Sequence, residues 1–277
     1  MAALFMRHII SWSGGKDSTA SIILFHNHET DLMRPGDEVI ILFVEIMFDK
    51  RGNISGHNPD MIRFIYEKKR IFESWGYRVE ILRGDMDFLD VFYHRLKGSP
   101  DPERNGLTHG FPLPGGMCAV KRDCKLAPLD EWERENSGED VIRYVGIASD
   151  EPKRLTSLHR DTPNAVSLLE KYGITEAGAR RLCAEHDMLS PLYSLSDSDH
   201  TQKRDGCWFC PYAKLCEHKS VKEQIPDAWK KYVSLEDTPN LAYPKWNIYA
   251  KESLHQRDEL LEYQMRYRQL SVFDLIA

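Results

Sequence analysis
A chain of 277 residues, 42% of them hydrophobic, can bury its own core and is long enough for one α/β domain with an appendage or for two small domains. With 37 Lys and Arg against 43 Asp and Glu, the net charge of -6 excludes a global basic field for holding nucleic acid, so any such binding has to be local. The apolar start Met1–Met6 is too short for a signal segment and no stretch reaches spanning length, which predicts a cytosolic protein off the membrane, its six cysteines thiols or ligands rather than disulfides.

His8, Ile9 and Ile10 predict a strand, and Ala20, Ile22, Ile23 and Leu24 recur at helical spacing. Ser11 to Thr19, reading SWSGGKDST, therefore spans a strand-to-helix turn. Gly14 and Gly15 let backbone amides approach an anion there. The helix start adds unpaired N–H groups and a positive dipole end, Lys16 adds a cation, and Ser13, Ser18 and Thr19 add hydroxyls. This is a phosphate cradle, although the Walker pattern GxxxxGK[ST] is not met. Lys16 and Asp17 are expected on an exposed loop, serving ligand charge rather than packing.

Glu38 to Val44 is a continuous apolar run, as expected of a strand buried on both faces. Pro59 opens a helix from Asp60 to Trp75, Gly76 stops it, and Tyr77 to Leu82 alternates like a strand. This order predicts a parallel sheet with right-handed crossovers and a ligand site beyond the carboxyl ends of its strands. Glu45 and Asp49 fall at such an end, where they either face a nucleotide or cap the next helix. Residues 98–116 are rich in Gly and Pro and long enough to be a lid. Met117 to Leu129 then brings together Cys118, Cys124, Lys125 and Pro128. Val141 to Ile147 is a further β-like run, whose end carries Asp150, Glu151, Lys153 and Arg154. From Ala165 onward short helices are expected over 167–172 and 175–186, then a polar loop from Pro191 to Asp205 and the segment Gly206 to Pro211. The remainder is helical in composition, with a Trp/Tyr-rich break around 239–249. The expected division is 1–164 as the nucleotide-binding α/β domain and 165–277 as a mainly helical region with cysteines and a tail.

The two-residue gap of Cys207 and Cys210 lets both sulfurs meet one metal, with Cys118 and Cys124 upstream and Cys183 between; a redox pair and plain buried thiols are the alternatives. Spacing alone does not separate zinc from an iron–sulfur cluster. Cys216 is the expected spectator.

The stretch Ser13 to Ser18 resembles the SGGxDS loop of the PP-loop ATP-pyrophosphatase superfamily. Cys124, Lys125 and Pro128 resemble the xKxxP segment, and Gly146 to Arg154 the GIRxDES..R segment, of its sulfonucleotide (PAPS/APS) reductase family, with Ala148 standing where that family has Arg. The resemblance spans about residues 7–212. It implies an adenine-nucleotide-hydrolase-like fold with ATP or a sulfonucleotide and Mg²⁺ bound at Ser13, Gly14, Gly15, Lys16, Asp17, Ser18, Glu45 and Asp150. It also implies catalytic roles for Lys16, Asp17, Lys125 and Arg154, the last two as phosphate or sulfate binders. A cysteine pair ahead of the Lys segment and CxxC after a helical stretch resemble the iron–sulfur reductases and the DNA phosphorothioation protein of the superfamily. They imply a [4Fe-4S] cluster, with Zn²⁺ as alternative, on Cys207 and Cys210 with Cys118, Cys124 and Cys183 supplying the rest; the wider gap between Cys118 and Cys124 leaves the fourth ligand open. The implied activity is nucleotide-dependent sulfur transfer or nucleic-acid modification by adenylation with pyrophosphate release. A sulfonucleotide reductase comes second, because no cysteine follows Cys216 to attack sulfur; a nucleotide-binding subunit without catalysis is the third reading. Gln269 to Phe273 resembles the QL[S/D]LF peptide that docks on bacterial sliding clamps, which implies a DNA acceptor, while packing back on the core is the simpler role for Leu270, Val272 and Phe273.

Overall fold
The computed structural model describes residues 5–114, 118–136, 140–162, 164–193 and 206–273, with backbone alone over 267–273. In chain order the first elements are β1 (Arg7–Ser11), α1 (Lys16–Asn27), α2 (Glu29–Leu32), β2 (Glu38–Val44), β3 (Met47–Asp49), β4 (Ile54–Ser55), α3 (Pro59–Ser74) and β5 (Arg78–Leu82). Next come α4 (Phe88–Tyr93), β6 (Thr108–Gly110), a π-helical stretch Lys121–Leu126, α5 (Ala127–Asn136), β7 (Val141–Tyr144), α6 (Pro152–Asp161) and β8 (Ala165–Val166). The chain closes with α7 (Leu168–Lys171), α8 (Glu176–Glu185), α9 (Leu215–Gln224), α10 (Pro226–Ser234), β9 (Leu241–Tyr243) and α11 (Leu254–Phe273). Among the described residues no helix is long and apolar enough to cross a membrane.

These elements form two compact units, neither of them one continuous segment. The first comprises 1–45, 60–83 and 127–205; the second comprises 46–59, 84–126 and 206–277. The expected cut after residue 164 does not coincide with this division, because β8, α7 and α8 complete the sheet unit.

The first unit is an α/β body around a five-stranded parallel sheet in the order β5-β2-β1-β7-β8. β2 is an interior strand, between β5 and β1, and is buried along almost its whole length, which is why its sequence is an unbroken apolar run rather than an alternation. Ile10, Ile41 and Phe43 of the strands pack with Ile22, Ile23 and Phe25 of α1 and with Leu168, Ala179 and Cys183 of α7 and α8. Successive crossovers run one way from β1 through β2 to β5 and the other way from β1 through β7 to β8. The strand order therefore reverses between β1 and β7, and the loops leaving those two strands flank one crevice.

The second unit is built on aromatic side chains. Phe48, Phe88, Phe92, Phe111, Trp208, Phe209, Trp229, Tyr232 and Trp246 are all fully buried there. Phe88 and Phe209 lie 4.2 Å apart by ring centroid, and Phe48 and Trp208 4.6 Å. β3 and β4 form an antiparallel hairpin, and β6 pairs in parallel with β9, matching Thr108 to Leu241 and Gly110 to Tyr243. The expected lid and the Trp/Tyr-rich break thus hold each other, since β6 comes from the one and β9 from the other. Gly110 adopts φ +87, and a Cβ there would collide with the Tyr243 carbonyl, so glycine is what lets the two strands close. The polar loop lies outside the described residues from residue 194. Gln269 to Phe273 closes the backbone of α11, and its side chains, with residues 274–277, lie outside the described residues.

Candidate functional site
The crevice of the first unit is made by three chain segments. Gly14 takes φ +77, and any Cβ there would overlap the Met61 methyl and come 2.7 Å from Ile65 Cδ1. Gly15 is the N-cap of α1 and supplies no side-chain cap, so the first-turn amides are left for a ligand. Serines hold the turn: Ser13 N donates to Ser18 Oγ (3.1 Å), Ser18 Oγ to Gly15 O (3.1 Å), and Gly15 N to Ser13 Oγ (3.3 Å). Gly146, just past β7, lies against the same helix start; a Cβ on it would sit 2.6 Å from Asp17 C and Ser18 Cα. The third segment is the start of α8, where Asp150 Oδ1 accepts from Glu176 N (3.0 Å).

Charge is concentrated at this junction. Lys16 is only 8% exposed, not on an open loop as expected; its Nζ donates to both Asp17 oxygens (2.9 and 2.8 Å) and lies 3.4 Å from Glu176. Asp17, Glu151 and Glu176 bring carboxylate oxygens within 4.8 Å of one another. Burial pushes the Asp17 carboxyl above its usual range, Lys16 opposes this, and the charges of Glu176 and Glu151 add to it. Three carboxylates around one ammonium leave an excess of negative charge that a cation would relieve. Arg154 Nη1 donates to both Glu151 oxygens (2.6 and 2.7 Å), so its exposed guanidinium is engaged at the rim.

Glu45, at the end of β2, is 2% exposed and accepts from Tyr66 OH (3.0 Å) and from Arg83 Nε (3.0 Å). Asp49 belongs to the second unit. Against burial, which pushes it up, a hydrogen bond from Lys231 Nζ (2.7 Å) and the Gly52 amide (3.0 Å) hold its carboxyl below the usual range.

The cysteines divide between the units. Cys183, counted from the sequence among the metal ligands, is a fully buried core thiol of α8 in the first unit; its Sγ donates to Lys16 O (3.2 Å) and burial pushes its pKa up to about 12. Cys118, Cys124, Cys207, Cys210 and Lys125 all belong to the second unit. The Cys207–Cys210 turn closes by Cys210 N donating to Cys207 O (3.0 Å), and Trp208 anchors it through N to Gly56 O and Nε1 to Ser55 O, both 2.9 Å. Behind the turn, buried His218 sets Nε2 2.9 Å from Trp208 O. Its Nδ1 accepts from Arg257 Nη1 (3.0 Å), whose guanidinium lies 4.4 Å over the Trp246 ring. Gly84 lets the π-helical stretch approach, since its Cβ would meet Asp123 O at 3.3 Å and Cys124 Cα at 3.4 Å.

The thiols act on one another. Burial pushes Cys207 up to about 12, Cys210 and Cys118 add to this, and Lys125 opposes it. Cys124 is pushed to about 12 by burial, then by Asp123 and Cys207, while Cys118 is raised by burial and by Cys210 against the Lys121 amide. Four-coordinate zinc with sulfurs at about 2.3 Å holds them about 3.8 Å apart. Among the described residues no three cysteine sulfurs fall within 4.8 Å of one another, and a cationic centre, zinc or cluster, would favour their ionised form.

Sequence reading missed Glu176 and His218. Glu176 is visible only as the first residue of a helix after Thr175, and nothing local says that this helix start faces Lys16. His218 is a single histidine eight positions beyond Cys210, with no pattern to mark it.

No family model matches the chain. An uncharacterized protein of Methanocaldococcus jannaschii is 23% identical over 231 residues, a match that covers 81% of this chain and 40% of that protein, so the chain spans two fifths of its relative's length. Among solved structures, the U34-tRNA thiolase NcsA from Methanococcus maripaludis with its [4Fe-4S] cluster is similar over 93% of this chain and 72% of that one, at 15% identity and a TM-score of 0.41.

Proposed function
We propose that this protein is a PP-loop enzyme of the ATP-pyrophosphatase superfamily, using an adenine nucleotide for sulfur transfer or modification of a nucleic acid, in the cytosol. The observation that carries the reading is the position of the Ser13–Ser18 turn: it stands at the strand-order reversal between β1 and β7, with uncapped amides of α1 at its mouth. In the proposed reaction an oxygen of the substrate attacks the α-phosphorus of ATP, the bond to the bridging oxygen breaks, and pyrophosphate leaves. Lys16 and the α1 amides stabilise the leaving charge, and Asp17, Glu151 and Glu176 offer oxygens to the Mg²⁺ that partners it. A sulfur nucleophile then displaces AMP from the adenylated carbon.

Cys118, Cys124, Cys207 and Cys210 would hold an iron–sulfur cluster, which supplies iron sites that bind sulfur or pass electrons. What supports a cluster over zinc is the resemblance of Cys118 and Cys124 ahead of Lys125, and of the Cys207–Cys210 pair, to the iron–sulfur enzymes of the superfamily. Lys125 is assigned to the phosphate or sulfate of the substrate, and its charge also opposes the upward push on the Cys207 thiol.

The test is pyrophosphate release from ATP by anaerobically purified protein in the presence of RNA and DNA, alongside iron, sulfide and zinc analysis. Substrate-dependent release with iron and sulfide present is expected. Nucleotide binding without release from any substrate would reduce the protein to a nucleotide-binding subunit, and zinc in place of iron would overturn the cluster.

A further inference from the structure
The two units carry their charge differently. By sequence the first has 19 Lys and Arg against 26 Asp and Glu, a net of -7, and the second 18 against 17, a net of +1; together these give the chain's -6. Exposed tyrosines follow the same bias: Tyr93, Tyr212, Tyr249 and Tyr263 lie on the second unit, and Tyr66 on the first. Within the second unit the β6–β9 pairing gathers basic side chains around one ring, Arg104 also pairing through Nε with Asp101 (3.0 Å). Arg104 lies 4.9 Å over Tyr243, the His109 ring is 5.1 Å from it, His109 N donates to His94 O (2.7 Å), and Arg95 bridges to Thr108 beside them.

We propose that this face, from Tyr93 and Arg95 across His109 and Arg104 to Tyr243, is a docking surface for single-stranded nucleic acid. Guanidinium and phenol planes offer stacking to unpaired bases, and the cations offer contacts to the phosphates between them. Among the described residues, Arg95, Lys97 and Lys245 have no carboxylate in ion-pair reach, so their charge is available to an external anion; Arg95 reaches only the Gly106 carbonyl at 3.5 Å. The crowding is already felt inside the patch. His109 is held below its ordinary value first by burial and then by the charges of His94 and Arg122, against the Gly110 carbonyl and Asp123.

For its purpose the surface rests on the nucleic-acid-modifying reading above, but its occupancy is measured without ATP, so the two fail separately.

The experiment is fluorescence anisotropy of the full-length protein with labelled single-stranded RNA and DNA of about 20 nucleotides over a series of salt concentrations, without nucleotide. Combining R95A, K97A and K245A is expected to weaken binding at least about tenfold and to flatten the salt dependence by roughly two phosphate contacts. Tyr93→Ala is expected to weaken binding several-fold with the salt slope unchanged, which separates stacking from charge. Combining R134A, K153A and R160A, all on the acidic unit, is expected to leave binding as in the parent. Equal binding by the parent and the R95A/K97A/K245A variant, or displacement of the oligonucleotide by an equally charged poly-glutamate peptide at the same concentration as by nucleic acid, overturns the proposal.

Discussion
The first unit is held by aliphatic strands against amphipathic helices; the second is held by large rings that meet edge and face. Among the described residues, nine of the twelve largest fully buried side chains belong to the second unit, among them Trp208, Trp229 and Trp246, and three to the first, Phe25, Phe43 and Phe72. A parallel sheet needs continuous Ile and Val runs because each central strand is covered on both faces. A unit assembled from three separated segments has no such period to follow, and aromatic side chains bury much area with few residues. The difference reaches the chemistry: the sheet unit presents backbone amides and a crevice, and the ring-packed unit presents side-chain sulfur and cations.

The largest expected effect falls on the sheet unit. Lys16→Ala should lower nucleotide-dependent pyrophosphate release by about 100-fold or more, and turnover equal to the parent would make the loop purely structural. Because Lys16 is buried among Asp17 and Glu176, its loss also changes the charge balance of the fold, and a melting curve separates the two consequences.

The cysteines give the sharpest contrast between the units. Cys207→Ser is expected to lose bound iron and several degrees of melting temperature together. Cys183→Ser, at a core thiol of the other unit, is expected to keep the iron while losing stability, since a hydroxyl replaces a thiol with no exposed surface. Iron loss from Cys183→Ser would place that thiol among the ligands and erase the division of labour between the units.

A smaller effect is expected behind the cysteine turn. His218→Ala leaves the Trp208 carbonyl and the Arg257 guanidinium short of a buried partner, which should destabilise the protein by about 1–3 kcal/mol without altering nucleotide binding on the sheet unit. Denaturant unfolding and nucleotide titration together check it.

The smallest effects are opposite in sign. Asp17 has a raised folded-state pKa, so its protonated form is favoured by folding: its contribution is fully present below the ordinary carboxylate value of 3.8 and is lost as pH rises through the raised value. Asp49 has a lowered one, so its contribution is present above 3.8 and is lost as pH falls through the folded value. At neutral pH Asp17→Asn should therefore melt no lower than the parent. Asp49→Asn should melt lower by no more than a few degrees, a deficit that closes in strong acid. Melting temperatures of both variants from acid to neutral pH decide it.

Legibility in the sequence followed the same division. The strands Arg7–Ser11, Glu38–Val44 and Arg78–Leu82 announce themselves by apolar runs, and Gly14 and Gly15 by their place between strand and helix. Thr108 to Gly110 has no such signal, because its partner Leu241 to Tyr243 lies more than 100 residues away and a three-residue strand carries too few alternations to read. The cysteine spacing identified Cys207 and Cys210 as a pair, but spacing does not report depth. Nothing local distinguishes Cys183, bonded to the Lys16 carbonyl, from a cysteine of the second unit. Glu176 and Gly146 matter through what packs on the start of α1, a property of the assembled sheet.

The interleaving of the chain has a consequence for how the protein is made. Its course passes from one unit to the other five times, after residues 45, 59, 83, 126 and 205. A growing chain that has reached residue 205 holds every segment of the sheet unit. It holds only two of the three segments of the ring-packed unit, so Phe48, Phe88 and Phe111 emerge before Trp208, Trp229 and Trp246, the rings that will cover them. Until the last segment arrives those phenylalanines are exposed apolar surface, the condition in which chains aggregate or engage chaperones. Amino-terminal fragments ending near residue 205 are therefore poor reagents for isolating the nucleotide-binding half, and an excised sheet unit needs its three segments rejoined by designed linkers.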